Sequence, residues 1–160
     1  LLRRPAHRGT ALSQYWPYVD GGRRERLGAT DVSGYSALMT ATVGAVADEV
    51  LDAVDLSGTR HLLDVGGGEG GFVAAAAARH PGLALSLFDL PAVAQRARRR
   101  LVDTGLAPRV RVHGGDFQAD ALPAGADTIS LVRVCLDHDD ATVRGLLARA
   151  REALPRGGRL

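Results

Sequence analysis

The sequence contains no lysine and no asparagine, and all 20 of its basic residues are arginine. Beside abundant alanine and glycine, that gap reads as compositional bias rather than as a functional signature. It has one chemical consequence: no lysine follows the glycine-rich loop described below, which excludes a phosphate-gripping P-loop. A single cysteine, Cys135, rules out an internal disulfide and a cysteine-based metal cluster, and no metal is expected. An excess of one charge is also missing. The 20 basic residues against 18 acidic ones leave a net charge of +2, so nothing calls for nucleic acid or an acidic partner. No apolar run approaches the ~20 residues that cross a bilayer, and no stretch reads as a signal peptide.

What is present suits about one domain: 160 residues, of which 46% are hydrophobic. The sequence starts with Leu1 rather than Met and stops at Gly157-Gly158-Arg159-Leu160, where a new apolar strand begins. We expect a piece of a longer protein. Residues 1–31 would be the remnant of an N-terminal or linker region, and residues 32–160 an incomplete ligand-binding domain, truncated at its C-terminal end.

The stretch His61 to Gly71, H-L-L-D-V-G-G-G-E-G-G, organises the rest. A short apolar run ends in Asp64, turns through glycines and opens into an alanine-rich helix near Phe72: strand, tight loop, helix. Glycine lets the backbone take positive φ and come close to a ligand. The free N–H groups of the first helical turn face the same space, so a small nucleotide-like ligand is expected. Gly66, Gly68 and Gly71 satisfy the G-x-G-x-x-G spacing of dinucleotide binders. Asp64 and Glu69 point elsewhere, because a carboxylate in the loop would repel a pyrophosphate. The pattern acidic-x-Gly-x-Gly-x-Gly, from Asp64 to Gly70, suits S-adenosylmethionine, which has no phosphate and carries an ammonium and a sulfonium.

Along the chain, residues 1–31 read as irregular structure or a short helix, with Tyr15, Trp16 and Tyr18 as packing anchors or, second, part of a substrate wall. Residues 34–55 read as a helix, with Met39, Val43, Val46, Val50 and Val54 on one stripe. Tyr35, Ser36 and Met39 are candidates to face the ligand. Strands are expected over 61–65, 83–90, 109–113 and 128–134, and helices over 70–80, 91–104 and 140–154. Pro81-Gly82 stops the first of these helices. Gly105 caps the second, and Asp139 or Asp140 caps the third at its N-terminus. The run Arg96 to Arg100 is read as a solvated face, with Val93, Ala97 and Leu101 buried behind it. Alternating strand and helix means an α/β fold with a parallel sheet and right-handed crossovers. In such sheets ligands sit beyond the carboxyl ends of the strands.

Three carboxylates fall on that rim. Asp64 ends the first strand, Asp89 the second, and Asp116 follows the third. Asp89 can accept both ribose hydroxyls of an adenosine. Asp116 can accept the adenine amino group, with Phe117 covering the ring. Asp64 can help to hold the cationic methionine end. A dinucleotide enzyme explains Asp89 equally well but Asp116-Phe117 poorly.

Leu62-Leu63-Asp64-Val65-Gly66-Gly67-Gly68, Phe88-Asp89-Leu90-Pro91, Gly115-Asp116-Phe117 and Ala153-Leu154-Pro155-Arg156-Gly157-Gly158-Arg159-Leu160 together resemble the plant-type O-methyltransferase family over roughly residues 34–160. Tyr35 to Met39 and Leu131 to Asp140 are most similar to its bacterial carotenoid branch, the hydroxyneurosporene and demethylspheroidene O-methyltransferases. The resemblance implies a Rossmann-like class I methyltransferase fold and S-adenosylmethionine-dependent methyl transfer to a hydroxyl. Gly66, Gly68 and Gly70 would line the methionine portion, Asp89 the ribose, and Asp116 and Phe117 the adenine. Arg133 falls one place after a cofactor-contacting lysine of plant members. The acceptor implied is a small apolar hydroxylated molecule, an acyclic carotenoid. A homodimer of the full-length protein, in the cytoplasm or peripheral to the membrane where carotenoids are made, is also implied. An aromatic or polyketide acceptor, or a module that binds S-adenosylmethionine without catalysis, are the alternatives.

Most of the family has a general-base histidine in the motif Leu-His-Asp-Trp. Here the aligned residues are Cys135-Leu136-Asp137-His138, and Leu136 cannot take a proton. A tertiary carotenoid alcohol is far less acidic than a phenol, so its proton should leave late in the transfer, to a nearby acceptor. His138 and Asp137 are the candidates; packing is the competing role for His138, and capping for Asp137.

Overall fold

The computed structural model describes residues 33–160, with side chains from residue 43 onward. Tyr15, Trp16 and Tyr18, and the side chains of Tyr35, Ser36 and Met39, lie outside the described residues.

Helix α1 (Ser33–Ala53) is followed by β1 (His61–Val65), α2 (Gly71–Arg79), β2 (Ala84–Asp89), α3 (Pro91–Asp103), β3 (Val110–Gly114), β4 (Thr128–Ser130) and α4 (Asp140–Ala153). The four strands are parallel, in the order β3-β2-β1-β4. Parallel strands are covered on both faces, which explains why β1 and β2 are mostly apolar and buried nearly throughout. Neighbours along β1 go to opposite sides. Leu62 joins one core with Leu85, Leu87, Val73 and Leu101, beneath α1, α2 and α3. Leu63 and Val65 join another with Phe88, Ile129, Leu146 and Ala150, beneath α4. This places the carboxyl ends of β1 and β2, and hence Asp64 and Asp89, between the two helical layers.

Local chemistry sets the element ends. Asp139 caps α4, its carboxylate accepting from the N–H of Thr142 at 2.8 Å. Gly105, at φ +72, closes α3 in the left-handed conformation, its N–H donating to the carbonyl of Val102. Arg109 clamps the turn between α2 and β2: its guanidinium donates to the carbonyls of Ala77, His80 and Leu83 at 2.9, 3.2 and 3.3 Å. Arg109→Met keeps the apolar stem and removes all three guanidinium hydrogen bonds, leaving the His80 carbonyl only the Leu83 N–H. We expect it to destabilise the fold by about 2–3 kcal/mol, read as a lower urea midpoint at unchanged slope; a midpoint equal to the parent's would refute the clamp.

Three sequence expectations are corrected. The fourth strand stops at Ser130 rather than running to Val134. It pairs with β1 from Leu62 opposite Thr128 to Asp64 opposite Ser130, and β1 itself ends one residue later at Val65, so the residues past Leu131 have no ladder to join. They turn instead, with Arg133 at φ +62, into a 3₁₀ turn at Cys135–Asp137. On α1 the buried centre is Ala47 and Leu51, with Val43, Val46 and Val50 half-buried; Val54 lies beyond the helix end and is exposed. The expected strand at the chain's end is a single parallel bridge, Arg159 beside Thr128.

Candidate active site

The loop between β1 and α2 folds back over the end of its own strand. Gly66, at φ +70, donates its N–H to the carbonyl of Phe88 at 2.8 Å. A Cβ there would stand 2.6 Å from Cγ2 of Val134. At Gly67 a Cβ would stand 2.6 Å from Oδ2 of Asp64 and 2.9 Å from Cδ1 of Leu87. Only glycine lets the loop lie that close, and the second position was not singled out in the sequence reading.

Asp64 is buried, 1% exposed. Its Oδ1 accepts from the Ser130 hydroxyl at 2.7 Å. Its Oδ2 is buried without a hydrogen-bond partner. Burial pushes its carboxyl up to about 7; the Ser130 hydrogen bond opposes this, and the nearby charge of Asp89 adds to it. Asp89, at the end of β2, accepts from the Gly68 N–H through Oδ2 at 2.8 Å and from the Leu90 N–H through Oδ1 at 2.7 Å. Burial raises it to about 6, against those two N–H groups and the guanidinium of Arg96. Each Asp89 oxygen keeps a further lone pair for an incoming hydroxyl.

Asp116 stands past β3, held in a tight turn. Its Oδ1 accepts from the Gln118 N–H and its own N–H donates to Oδ2 of Asp120, both at 2.8 Å. Arg149 of α4 fastens this turn by donating to the carbonyls of Gln118 and Asp120 at 2.7 and 3.2 Å. Phe117 meets the ring of His138 edge to face, centroids 5.2 Å apart and planes at 82°. That contact joins the turn after β3 to the segment before α4.

One cavity gathers these groups. Nine of the ten residues expected at the site line it: Asp64, Gly66, Gly68, Asp89, Asp116 and Phe117, then Arg133, Asp137 and His138. Gly70 does not. It is buried under the loop at φ +84, as the N-cap of α2, and a Cβ on it would face Val73, Leu87 and Leu101. Its part is to turn the chain into the helix. Glu69 lines the cavity as well and pairs with Arg96 of α3, N to O 3.3 Å. The expectation of a wholly solvated arginine face therefore holds for Arg98 and Arg99, which are exposed, and not for Arg96 and Arg100, which are half-buried. A spacing of 27 residues gave no local signal of that pair. Leu136, at the position of the family's base, is 74% exposed. Among the described residues, no group of three or more His, Cys, Asp or Glu could hold a metal.

The wall of this cavity suits a ligand with positive charge and no phosphate. Among the described residues its one orphaned buried side-chain atom is a carboxylate oxygen, and its loop carries a further carboxylate where a pyrophosphate would lie. S-adenosylmethionine has both features, and the residues fit it; a dinucleotide would bring a pyrophosphate against these carboxylates.

Comparison with known proteins agrees. An O-methyltransferase domain model matches residues 24–160. The chain is 55% identical over 152 residues to the demethylspheroidene O-methyltransferase of Cereibacter sphaeroides, covering 93% of this chain and 39% of that protein. It is 41% identical over 160 residues to aclacinomycin 10-hydroxylase RdmB of Streptomyces purpurascens, covering 98% and 40%. Among solved structures, the O-methyltransferase NcsB1 from neocarzinostatin biosynthesis, in complex with S-adenosyl-L-homocysteine and 1,4-dihydroxy-2-naphthoic acid, superposes with a TM-score of 0.75. It shares 35% identity and covers 81% of this chain and 39% of its own. The chain thus spans about two fifths of the length of the relatives it matches. The sheet order, the crossovers and these neighbours make the fold a Rossmann-like class I methyltransferase fold. Glycine loop, acidic rim and family match fall on the same residues, and the chain belongs to the O-methyltransferase domain family.

Proposed function

We propose that this chain is the cofactor-binding part of an S-adenosylmethionine-dependent O-methyltransferase. Its acceptor is an apolar hydroxylated molecule, an acyclic carotenoid of the demethylspheroidene type. One observation carries the cofactor assignment: Asp64, Asp89 and Asp116 stand on the wall of a single cavity at one edge of the sheet, with a buried carboxylate oxygen left to pair. The acceptor assignment is supported by the 55% identical relative and its name.

When bound, S-adenosylmethionine supplies a methyl group on a positively charged sulfur. In this reading Asp64 balances the cationic methionine end through Oδ2. Asp89 accepts the ribose hydroxyls on the lone pairs its backbone donors leave free. Asp116 and Phe117 hold the adenine, Gly66 and Gly68 let the loop approach, and Arg133 borders the same cavity. Fixing two reactants in line supplies much of the acceleration in a displacement of this kind. Leu136 has no basic atom, so the acceptor's proton passes to His138 or Asp137, both on the cavity wall. A long apolar acceptor puts the work at a membrane surface, although no described helix is long and apolar enough to cross one. We assign the homodimer of the whole protein to segments outside this chain.

A second reading is a family member that binds the cofactor without transferring its methyl group. Leu136 at the base position favours it, and so does a 41% identical relative named as a hydroxylase. The test uses the full-length protein and methyl-labelled S-adenosylmethionine, with demethylspheroidene or 1,4-dihydroxy-2-naphthoic acid as acceptor. We expect label on the carotenoid and at least a ~10-fold slower transfer in His138→Ala, with cofactor affinity within about twofold of the parent. Label on the naphthoate alone would overturn the carotenoid assignment; cofactor binding with no labelled product would favour the second reading.

A further inference from the structure

We propose that Arg96 is a positioning residue for the cofactor site: by pairing with Glu69 it ties the glycine loop to α3 and brings a positive charge to the loop that Asp89 anchors. The inference rests on reading the cavity as a cofactor site.

The geometry is a closed circuit. Glu69 sits between Gly68, whose N–H is bonded to Asp89, and Gly70, which starts α2. Arg96 stands in the second turn of α3, and α3 begins two residues after Asp89. The Arg96–Glu69 pair therefore links the loop to the helix that Asp89 leads into, and the Asp89–Gly68 hydrogen bond closes the ring. Both side chains of the pair are only about a fifth exposed, 21% and 23%. A pair so shielded is screened less than a surface pair. The next two arginines, Arg98 and Arg99, are exposed, whereas Arg96 and Arg100, one turn apart on the same face, are half-buried.

The charges bear this out. Around the cavity stand Asp64 from β1, Glu69 from the loop, Asp116 after β3, Arg133 after β4, and Asp137 and His138 before α4. Carboxylates predominate, and the guanidinium of Arg96 favours the charged form of Asp89, alongside the Gly68 and Leu90 N–H groups. Without it Glu69 loses its counter-charge in the loop that Asp89 holds. Asp89 then takes up a proton at higher pH. A protonated carboxyl offers fewer acceptor sites to a ribose and no longer binds the Gly68 N–H as a carboxylate does.

The experiment is a calorimetric titration of the full-length protein with S-adenosylhomocysteine between pH 5 and 8. Wild type is compared with Arg96→Met, Arg96→Lys and Glu69→Gln. In the wild type affinity falls on acidification. In Arg96→Met the midpoint of that fall moves up by about half to one pH unit, so affinity is roughly 3–10-fold lower near pH 6 and within about twofold at pH 8. Arg96→Lys restores most of the difference. Glu69→Gln leaves the Arg96 charge to Asp89 alone, so its midpoint lies below that of the wild type. A loss in Arg96→Met that is equal at every pH means a merely structural brace and overturns the proposal. A raised midpoint in Glu69→Gln does the same. No binding by the wild type at any pH removes the cofactor reading and this inference with it.

Discussion

Asp89→Ala will weaken S-adenosylhomocysteine binding by at least ~100-fold, equivalent to about 2.7 kcal/mol, while the fold survives. The carboxylate is expected to accept two ribose hydroxyls, and hydrogen bonds to a charged acceptor contribute about 1.5–3 kcal/mol each. The change also strips the Gly68 and Leu90 N–H groups of their acceptor, so the loop loses the anchor that shapes it. Stability moves less. A carboxyl raised to about 6 by burial is a strained charge at neutral pH, and alanine removes that strain along with the hydrogen bonds. Calorimetry for affinity and circular dichroism for melting separate the two effects. Asp89→Asn, which keeps one acceptor oxygen, should fall between. An alanine variant that binds within threefold of the parent would remove Asp89 from the site.

Asp64→Asn has the opposite character: a change that strengthens the fold and harms the site. The native carboxyl titrates near 7, above the ordinary carboxylate value of 3.8. The folded chain therefore holds this proton more tightly than the unfolded chain does. Stability from this group is full below about pH 4, falls as pH rises through the interval between the two values, and levels off above about pH 7. Asp89, raised to about 6, acts in the same direction over the lower part of that window. Asparagine never ionises, and its carbonyl can still accept from the Ser130 hydroxyl. The ligand-free variant should match the parent near pH 4 and exceed it at pH 8, by on the order of a few kcal/mol. Cofactor affinity should drop at least ~10-fold, since a cationic end meets a neutral amide. Thermal melts across pH 4–8 decide the matter: a variant that melts below the parent at pH 8 would show that Asp64 stabilises the empty fold as a carboxylate.

Much of this was legible because the informative residues act locally. An apolar run ending in Asp64, then five glycines among residues 66–71, can form little else than a strand–turn–helix. The ends of β1 fall where the run predicts, at His61 and Val65. Asp89 and Asp116 were found at the same rim because alternating strands and helices force a parallel sheet. What escaped depends on contacts distant in sequence. Leu131-Val132-Arg133-Val134 reads as strand, yet the ladder ends because β1 turns away, and nothing near residue 130 encodes that. Ala47 outranks Val54 on α1 because a close approach to α2 needs a small side chain; at Gly71, facing it, even a Cβ would collide with Val43. Arg96 hides among arginines, and only the folded loop shows which of them meets a carboxylate. Gly70 looked like part of the ligand wall because spacing cannot distinguish a glycine beneath the loop from one on its surface.

The seat of Gly67 over Asp64 also constrains how the protein can change in descent. A methyl group at position 67 has no room while a carboxylate oxygen occupies the space below it, and shrinking the acid first leaves a hole under the loop. Leu87 presses on the same spot, its Cδ1 2.9 Å from where that methyl would stand. Each step alone is penalised, so position 67 can drift only together with both 64 and 87. Gly67→Ala should be tolerated better in an Asp64→Gly, Leu87→Ala background than by itself, which would record their coupling as compensating substitutions.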